Sequence, residues 1–85
     1  MATVTMRYWA AAREAAGVAE QRLSADTLAA ALAQAVGTAG PGRLRDVLAR
    51  SSFLIDGAPV GRRAAESVPL SEGNVIEVLP PFAGG

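Results

Sequence analysis

Several residue types that carry common enzyme chemistry are absent from this chain. It has no cysteine and no histidine, and all eight of its basic residues are arginine, so lysine is absent too. Without cysteine there is no disulfide, thiol nucleophile or thiolate metal site. The commonest general base and several common nucleophiles are missing as well. A small stand-alone enzyme is therefore the least favoured class, and activity of the isolated chain on any substrate would revive it.

Strong charge and long apolar runs are also lacking. Eight basic residues balance eight acidic ones, which argues against nucleic acid or an anionic membrane as the main partner. No apolar run approaches the roughly 18–20 residues of a membrane span, and residues 1–9 do not read as a signal peptide. At 85 residues, we expect one domain located in the cytoplasm.

The first half of the chain contains two predicted strands around a short helix. Val4, Met6 and Tyr8 alternate with other side chains, which predicts a strand over residues 3–9. The alanine-rich residues 10–16 favour a helix that ends at Gly17. Residues 18–23 can form a second strand.

The main helix is predicted over residues 27–36. Its apolar residues follow helical spacing, with Ser24 and Asp26 offered as N-cap residues. Gly37 and the Gly40-Pro41-Gly42 cluster are expected to end it. One or two further helical turns are predicted from Leu44 onwards.

The second half is predicted to form strands and turns. In order, these are a strand at 53–55, a turn at Asp56-Gly57, a return strand from Val60, an exposed connection at 62–67, core contact at Pro69-Leu70 and a turn at 71–74. The last strand, 75–79, has neighbouring apolar residues, which indicates a central strand covered on both faces for part of its length. The whole pattern predicts an α+β domain with one main helix on a mixed sheet.

The final residues predict a tail that leaves the domain. Pro80 and Pro81 cannot continue a strand ladder, because neither nitrogen carries a hydrogen. Phe82-Ala83-Gly84-Gly85 then forms an extended tail, so we divide the chain into a domain, 1–79, and a tail, 80–85. Proline limits the entropy lost on docking, and glycine lets backbone pass through a narrow channel. This layout suits a chain end that reacts inside another protein.

Two stretches carry a resemblance to a known family. They are Met-Arg-Tyr-Trp-Ala-Ala-Ala-Arg-Glu at 6–14 and Glu-Gly-Asn-Val-Ile-Glu-Val-Leu-Pro-Pro-Phe-Ala-Gly-Gly at 72–85. The chain resembles the small subunit of molybdopterin synthase, the MoaD family, within the ubiquitin-like β-grasp sulfur carriers. Two departures are Trp9, where the family usually has phenylalanine, and the glycine-rich stretch 37–42.

The resemblance implies a carrier whose reactive group is the C-terminal carboxylate of Gly85. A MoeB-type enzyme would use ATP to adenylate it, and a sulfur donor would convert it to a thiocarboxylate. The tail would then enter a MoaE-like large subunit, in a heterotetramer, and donate sulfur to a cyclic pyranopterin precursor. The chain itself would bind no cofactor and no metal. The positioning residues implied are Pro80, Pro81, Phe82, Ala83 and Gly84.

Two further residues are possible interface positions. Trp9 either covers the back of the sheet or anchors the large subunit. Arg13 matches the family pattern, and with Glu14 it could equally be an exposed pair on a helix. Phe82 has little core of its own to fill, which favours a pocket on the partner.

Two other interpretations stay open. The first is a sulfur carrier for another pathway, such as thiamine, cysteine or tungsten cofactor synthesis. The second is a non-reactive β-grasp binding module whose Gly-Gly end is fortuitous. Extending the chain past Gly85 would abolish a carrier and leave a binding module unharmed.

Overall fold

Short helices and strands alternate along residues 1–81, the part of the chain that this computed structural model describes. The local patterns set out above account for most of them. The elements are β1 (Thr3–Tyr8), α1 (Ala10–Ala16), β2 (Glu20–Ser24), α2 (Leu28–Ala39), α3 (Leu44–Arg50), β3 (Ser52–Ile55), β4 (Ala58–Pro59), a 3-10 turn (Ala65–Ser67) and β5 (Val75–Leu79).

The five strands form one mixed sheet in the order β2-β1-β5-β3-β4. β1 pairs with β5 in parallel, and the other pairs are antiparallel. The last strand therefore lies in the middle of the sheet, as its apolar sequence predicts. The α+β class is confirmed, and α2 is the longest of the three helices that accompany the sheet.

The core lies between one face of the sheet and the helices. β1 and β5 each turn alternate side chains to this face, and all of these are almost completely buried: Val4, Met6, Tyr8, Ile76 and Val78. The helices bury their own apolar stripes in the same cluster, through Ala12, Leu28, Ala31, Ala35, Leu44 and Leu48. Each large side chain buried here contributes about 1.5–3 kcal/mol relative to exposure.

The N-terminus of α2 differs from the prediction. Thr27 is the N-cap residue, and its hydroxyl accepts a hydrogen bond from the amide of Ala30 at 3.1 Å. Neither Ser24 nor Asp26 caps the helix. The Asp26 carboxylate instead accepts from the amide of Ala2 at 3.2 Å, which joins the start of the chain to this loop.

The C-terminus of α2 agrees with the prediction at Gly40 but not at Gly37. Gly37 lies inside the helix, which continues to Ala39 and ends at Gly40 with a positive φ of 76°. A glycine in a helix interior costs about 1 kcal/mol, which does not end a helix that packing supports. Val36, immediately before Gly37, packs against the core.

Several predicted strand boundaries shift by one or two residues. β1 ends at Tyr8 rather than Trp9, and β2 begins at Glu20 rather than Val18. The return strand β4 precedes Val60, which is itself buried. No helix within residues 1–81 has the length and apolar character needed to cross a membrane.

Candidate functional site

The predicted tail starts at the same end of the sheet as Trp9. Parallel strands end at the same edge, and the register pairs Tyr8 of β1 with Val78 of β5. Trp9 and Leu79 are the next residues of the two chains after this last pair. Pro80 follows directly. The structure thus brings together a predicted interface residue and the base of the predicted tail.

A sharp turn at Ala10 keeps Trp9 at the surface. Ala10 has a φ of 48°, a left-handed conformation that costs an L-residue about 1–2 kcal/mol. This turn takes the chain from β1 directly into α1, whose N-cap position is Trp9. The Trp9 carbonyl accepts from the amide of Ala12 at 3.0 Å, and the residue is 49% exposed. Trp9 is therefore half packed and half available to a partner.

Arg13 lies next to Trp9. Both line a shallow groove of about 260 Å³, together with Arg7 and Glu20. Arg7 and Glu20 form an ion pair at 2.9 Å, and since both side chains are about half exposed, the pair contributes at most about 1 kcal/mol. The groove therefore has an aromatic wall and two arginines, one of them neutralised by Glu20.

The sheet face opposite the helices carries a small apolar patch. Because Ile76 and Val78 point into the core, Val75 and Leu79 of β5 point to the other face. Leu54 of β3 joins them, and all three are partly exposed. Leu54 lies directly opposite Glu77, which stands between Val75 and Leu79 on the same face. We call Leu54, Val75 and Leu79 the open-face patch. The sequence predicted that β5 is covered on both faces for part of its length, but the face opposite the helices stays partly exposed. The apolar run at residues 75–79 was the sequence feature that indicated apolar side chains on both faces.

The only tyrosine lies beneath this end of the sheet. Tyr8 is almost fully buried, and its hydroxyl donates to the side-chain oxygen of Gln21 at 2.7 Å. Burial raises the pKa of Tyr8 to about 12. The phenol therefore keeps its proton beyond the pH at which a free tyrosine ionises, and its hydrogen bond to Gln21 joins β1 to β2.

Part of the predicted site lies outside the described residues, namely Phe82, Ala83, Gly84 and Gly85. Pro80 and Pro81 follow β5 without strand pairing, as predicted. Among residues 1–81, no three His, Cys, Asp or Glu side chains gather into a group that could hold a metal ion. The chemistry that the described residues offer is that of a docking surface.

Comparison with solved structures gives matches over nearly the whole chain. Small archaeal modifier protein 1 from Methanosarcina acetivorans is 25% identical, with a TM-score of 0.84, covering 100% of this chain and 98% of that one. The protein of the same name from Haloferax volcanii is 22% identical, with a TM-score of 0.80 and coverages of 98% and 99%. Both matches reproduce the mixed sheet and its helices.

A third match comes from a complex. It is a chain of the complex of subunits 1 and 2 of molybdopterin-converting factor from Helicobacter pylori, 22% identical, with a TM-score of 0.68. The match covers 98% of this chain and 99% of that one. A search of curated proteins found no match.

The sequence profile of the ThiS family matches residues 6–85, and therefore includes both Trp9 and the Gly84-Gly85 end. The structural matches add the ubiquitin-like β-grasp fold, with a mixed sheet and helices on one face. The chain belongs to the ThiS family of ubiquitin-like sulfur carriers.

Proposed function

We propose that this chain is the sulfur-carrier subunit of a molybdopterin synthase, with the carboxylate of Gly85 as its reactive group. One observation carries the proposal: the strand that leads to Gly84-Gly85 is the central strand, and it ends beside Trp9 and the open-face patch. A partner that binds this surface receives the tail from a fixed point. The rigid sheet thereby positions a chain end that has no catalytic side chains.

The proposed chemistry begins with activation. A carboxylate oxygen of Gly85 attacks the α-phosphorus of ATP in a MoeB-type enzyme, and pyrophosphate leaves. Sulfide sulfur then attacks the acyl carbon, AMP leaves, and a thiocarboxylate remains. The proposal places this step in the cytoplasm, where ATP is available.

Sulfur transfer completes the proposed cycle. In a MoaE-like large subunit, the terminal sulfur attacks a carbon of a cyclic pyranopterin precursor, and a carbon–oxygen bond at that carbon breaks as the oxygen leaves. Water then cleaves the acyl–sulfur bond, which restores the Gly85 carboxylate and leaves the sulfur on the precursor. Acids and bases come from the partner, since this chain has no histidine, cysteine or lysine. Support for this pathway comes from the resemblance at 6–14 and 72–85, and from the likeness to a chain of the molybdopterin-converting factor complex. A heterotetramer of two small and two large subunits is part of the proposal.

Intact-mass measurement tests the carrier role. The full chain is incubated with ATP, sulfide and a MoeB-type enzyme. The proposal expects a gain equal to the mass difference between sulfur and oxygen, located at Gly85. That gain is lost when the large subunit and the precursor are added. A chain extended by one residue past Gly85 should gain nothing, and an unmodified wild-type chain would favour a non-reactive binding module.

A matched pair of variants tests the docking surface. Leu79→Asp places a charge in the open-face patch, whereas Ala30→Asp places the same charge on an exposed position of α2. We expect Leu79→Asp to slow thiocarboxylate formation at least tenfold and Ala30→Asp to leave it unchanged. Thermal melting of both variants separates lost docking from lost folding.

The likeness to small archaeal modifier protein 1 favours a second candidate, a protein modifier. An acyl-adenylate that reacts with sulfide also reacts with an amine, so the same Gly85 could be joined to a lysine of another protein. In that case the activated chain would form covalent adducts with other proteins. These adducts would have a higher mass than the chain and would be stable to reducing agents. Sulfur gain followed by loss to the precursor, without such adducts, supports the carrier.

A further inference from the structure

β2 is an edge strand with an unpaired side. The sheet order leaves only β1 beside it. The amide of Thr5 in β1 donates to the carbonyl of Asn74 at 3.0 Å, away from β2. Arg22, the register partner of Thr5, therefore turns its backbone N–H and C=O away from β1. Because this orientation repeats every second residue of a strand, the backbone N–H and C=O of Glu20 also point away from β1.

Gln34 of α2 closes one end of this edge. Its side-chain nitrogen donates to the Ser24 carbonyl at 3.0 Å, and its side-chain oxygen accepts from the Ser24 amide at 3.2 Å. These two hydrogen bonds satisfy the backbone amide and carbonyl of Ser24, as a neighbouring strand would. Within the described part of the chain, no group bonds the outward backbone of Glu20 or Arg22. The free edge is therefore short and centred on Gln21.

This free edge is complementary to itself. If two copies pair their β2 strands antiparallel about a twofold axis at Gln21, Glu20 of each copy lies opposite Arg22 of the other. Both residues have outward backbone groups, so each such pair exchanges two backbone hydrogen bonds. Their exposed side chains lie on one face and carry opposite charges.

The charges also select one register. A shift of two residues in either direction places Glu20 opposite Glu20, or Arg22 opposite Arg22, and like charges directly opposite each other are unfavourable. In the matched register the charges alternate across the joined sheets, because Arg7 already pairs with Glu20 at 2.9 Å. The chain has no net charge, so two copies do not repel each other overall.

We propose that the chain self-associates by antiparallel pairing of the β2 strands of two copies, with Glu20 opposite Arg22 in both directions. The twofold axis places the Pro80 end of one copy at the opposite side of the joined sheet from that of the other. The Leu79–Pro80 end of β5 therefore stays away from the contact, because β1 lies between β5 and the paired edge. Glu20, which lines the groove beside Trp9, takes part in the contact. The pairing is small, so it is a weak association, with a Kd on the order of 0.1–1 mM.

Sedimentation velocity and light scattering of the full chain test this pairing, at concentrations from about 10 μM to about 1 mM. We expect the average mass to rise from the 8.6 kDa of the monomer towards twice that value. R22E and E20R should each weaken self-association at least tenfold, because each places like charges opposite one another. Mixing the two variants should restore it, since one copy then carries two acids and the other two bases.

A control and a second measurement locate the contact. R45E makes the same charge change on an exposed position of α3 and should leave self-association unchanged. Amide exchange at Glu20 and Arg22 should slow as concentration rises, while exchange at exposed positions of α3 should not. A wild-type chain that stays monomeric throughout overturns the proposal, as does an R22E variant that behaves like R45E. Failure of the mixture to associate overturns the register.

Discussion

Replacing Trp9 with alanine tests the proposed docking surface most directly. A large aromatic side chain buries up to about 250 Å². Since Trp9 is 49% exposed, about 120 Å² remains for a partner to cover. At about 25 cal/mol per Å², this area is worth about 3 kcal/mol, or on the order of a 100-fold change in Kd. We therefore expect W9A to bind the large subunit about 100-fold more weakly.

The packed half of Trp9 gives a second, separate expectation. Its loss should lower the free energy of unfolding by about 2–3 kcal/mol. Titration calorimetry with the large subunit measures the first effect, and urea unfolding of the isolated chain measures the second. W9F keeps an aromatic ring at the same place and should bind within about tenfold of the wild type.

One pattern of results would refute this reasoning. If W9A is destabilised but binds the large subunit with an unchanged Kd, then Trp9 only packs against its own chain. The interpretation of its exposed half as an anchor would then be wrong. The affinity for the large subunit would then have to come from the open-face patch alone.

Three further predictions concern the fold. Because burial raises the pKa of Tyr8 from 10.0 to about 12, the protonated phenol stabilises the fold. This contribution to the free energy of unfolding is full below pH 10 and falls by about 2–3 kcal/mol as the pH rises to about 12. Urea unfolding across this pH range measures the fall, and Y8F should lack it. T27A should lower the stability by about 1 kcal/mol, because it removes the N-cap hydrogen bond of α2. S24A should change the stability by less than about 0.5 kcal/mol. Equal effects of the two variants in urea unfolding would contradict the assignment of Thr27 as the cap. G57A should lower the stability by about 1 kcal/mol, because Gly57 has a φ of 84° that an L-residue rarely adopts. No atom lies within 4 Å of an added Cβ, so the backbone conformation is the source of this cost. Thermal melting measures it, and an unchanged melting temperature would show that the turn relaxes.

The local pattern predicted the elements well. The alternation at Val4, Met6 and Tyr8 identified β1, and the dipeptide Asp56-Gly57 identified the turn between β3 and β4. Gly17 ends α1 in the left-handed conformation, as expected. These features depend on residues close together in the sequence, so periodicity and turn chemistry are sufficient to find them.

Helix ends were less predictable. Ser24 and Asp26 are good N-cap residues by type, yet Thr27 caps α2 because the paired β2 strand continues through Ser24. Gly37 is a common helix end by type, yet α2 continues through it to Ala39 and ends at Gly40. In both cases a local preference of about 1 kcal/mol was too small to fix the helix end.

The sequence by itself determined the α+β class and the chemistry that the chain lacks. The family resemblance at 6–14 and 72–85 added the β-grasp fold and the choice of Gly85 as the candidate reactive group. Only the tertiary structure decided that Trp9, Leu79 and Pro80 lie together, because this follows from the parallel pairing of β1 with β5. It alone also decided that one edge of the sheet stays open beside Gln34. Side-chain periodicity specifies which face of a strand is buried, but not which distant strand lies next to it.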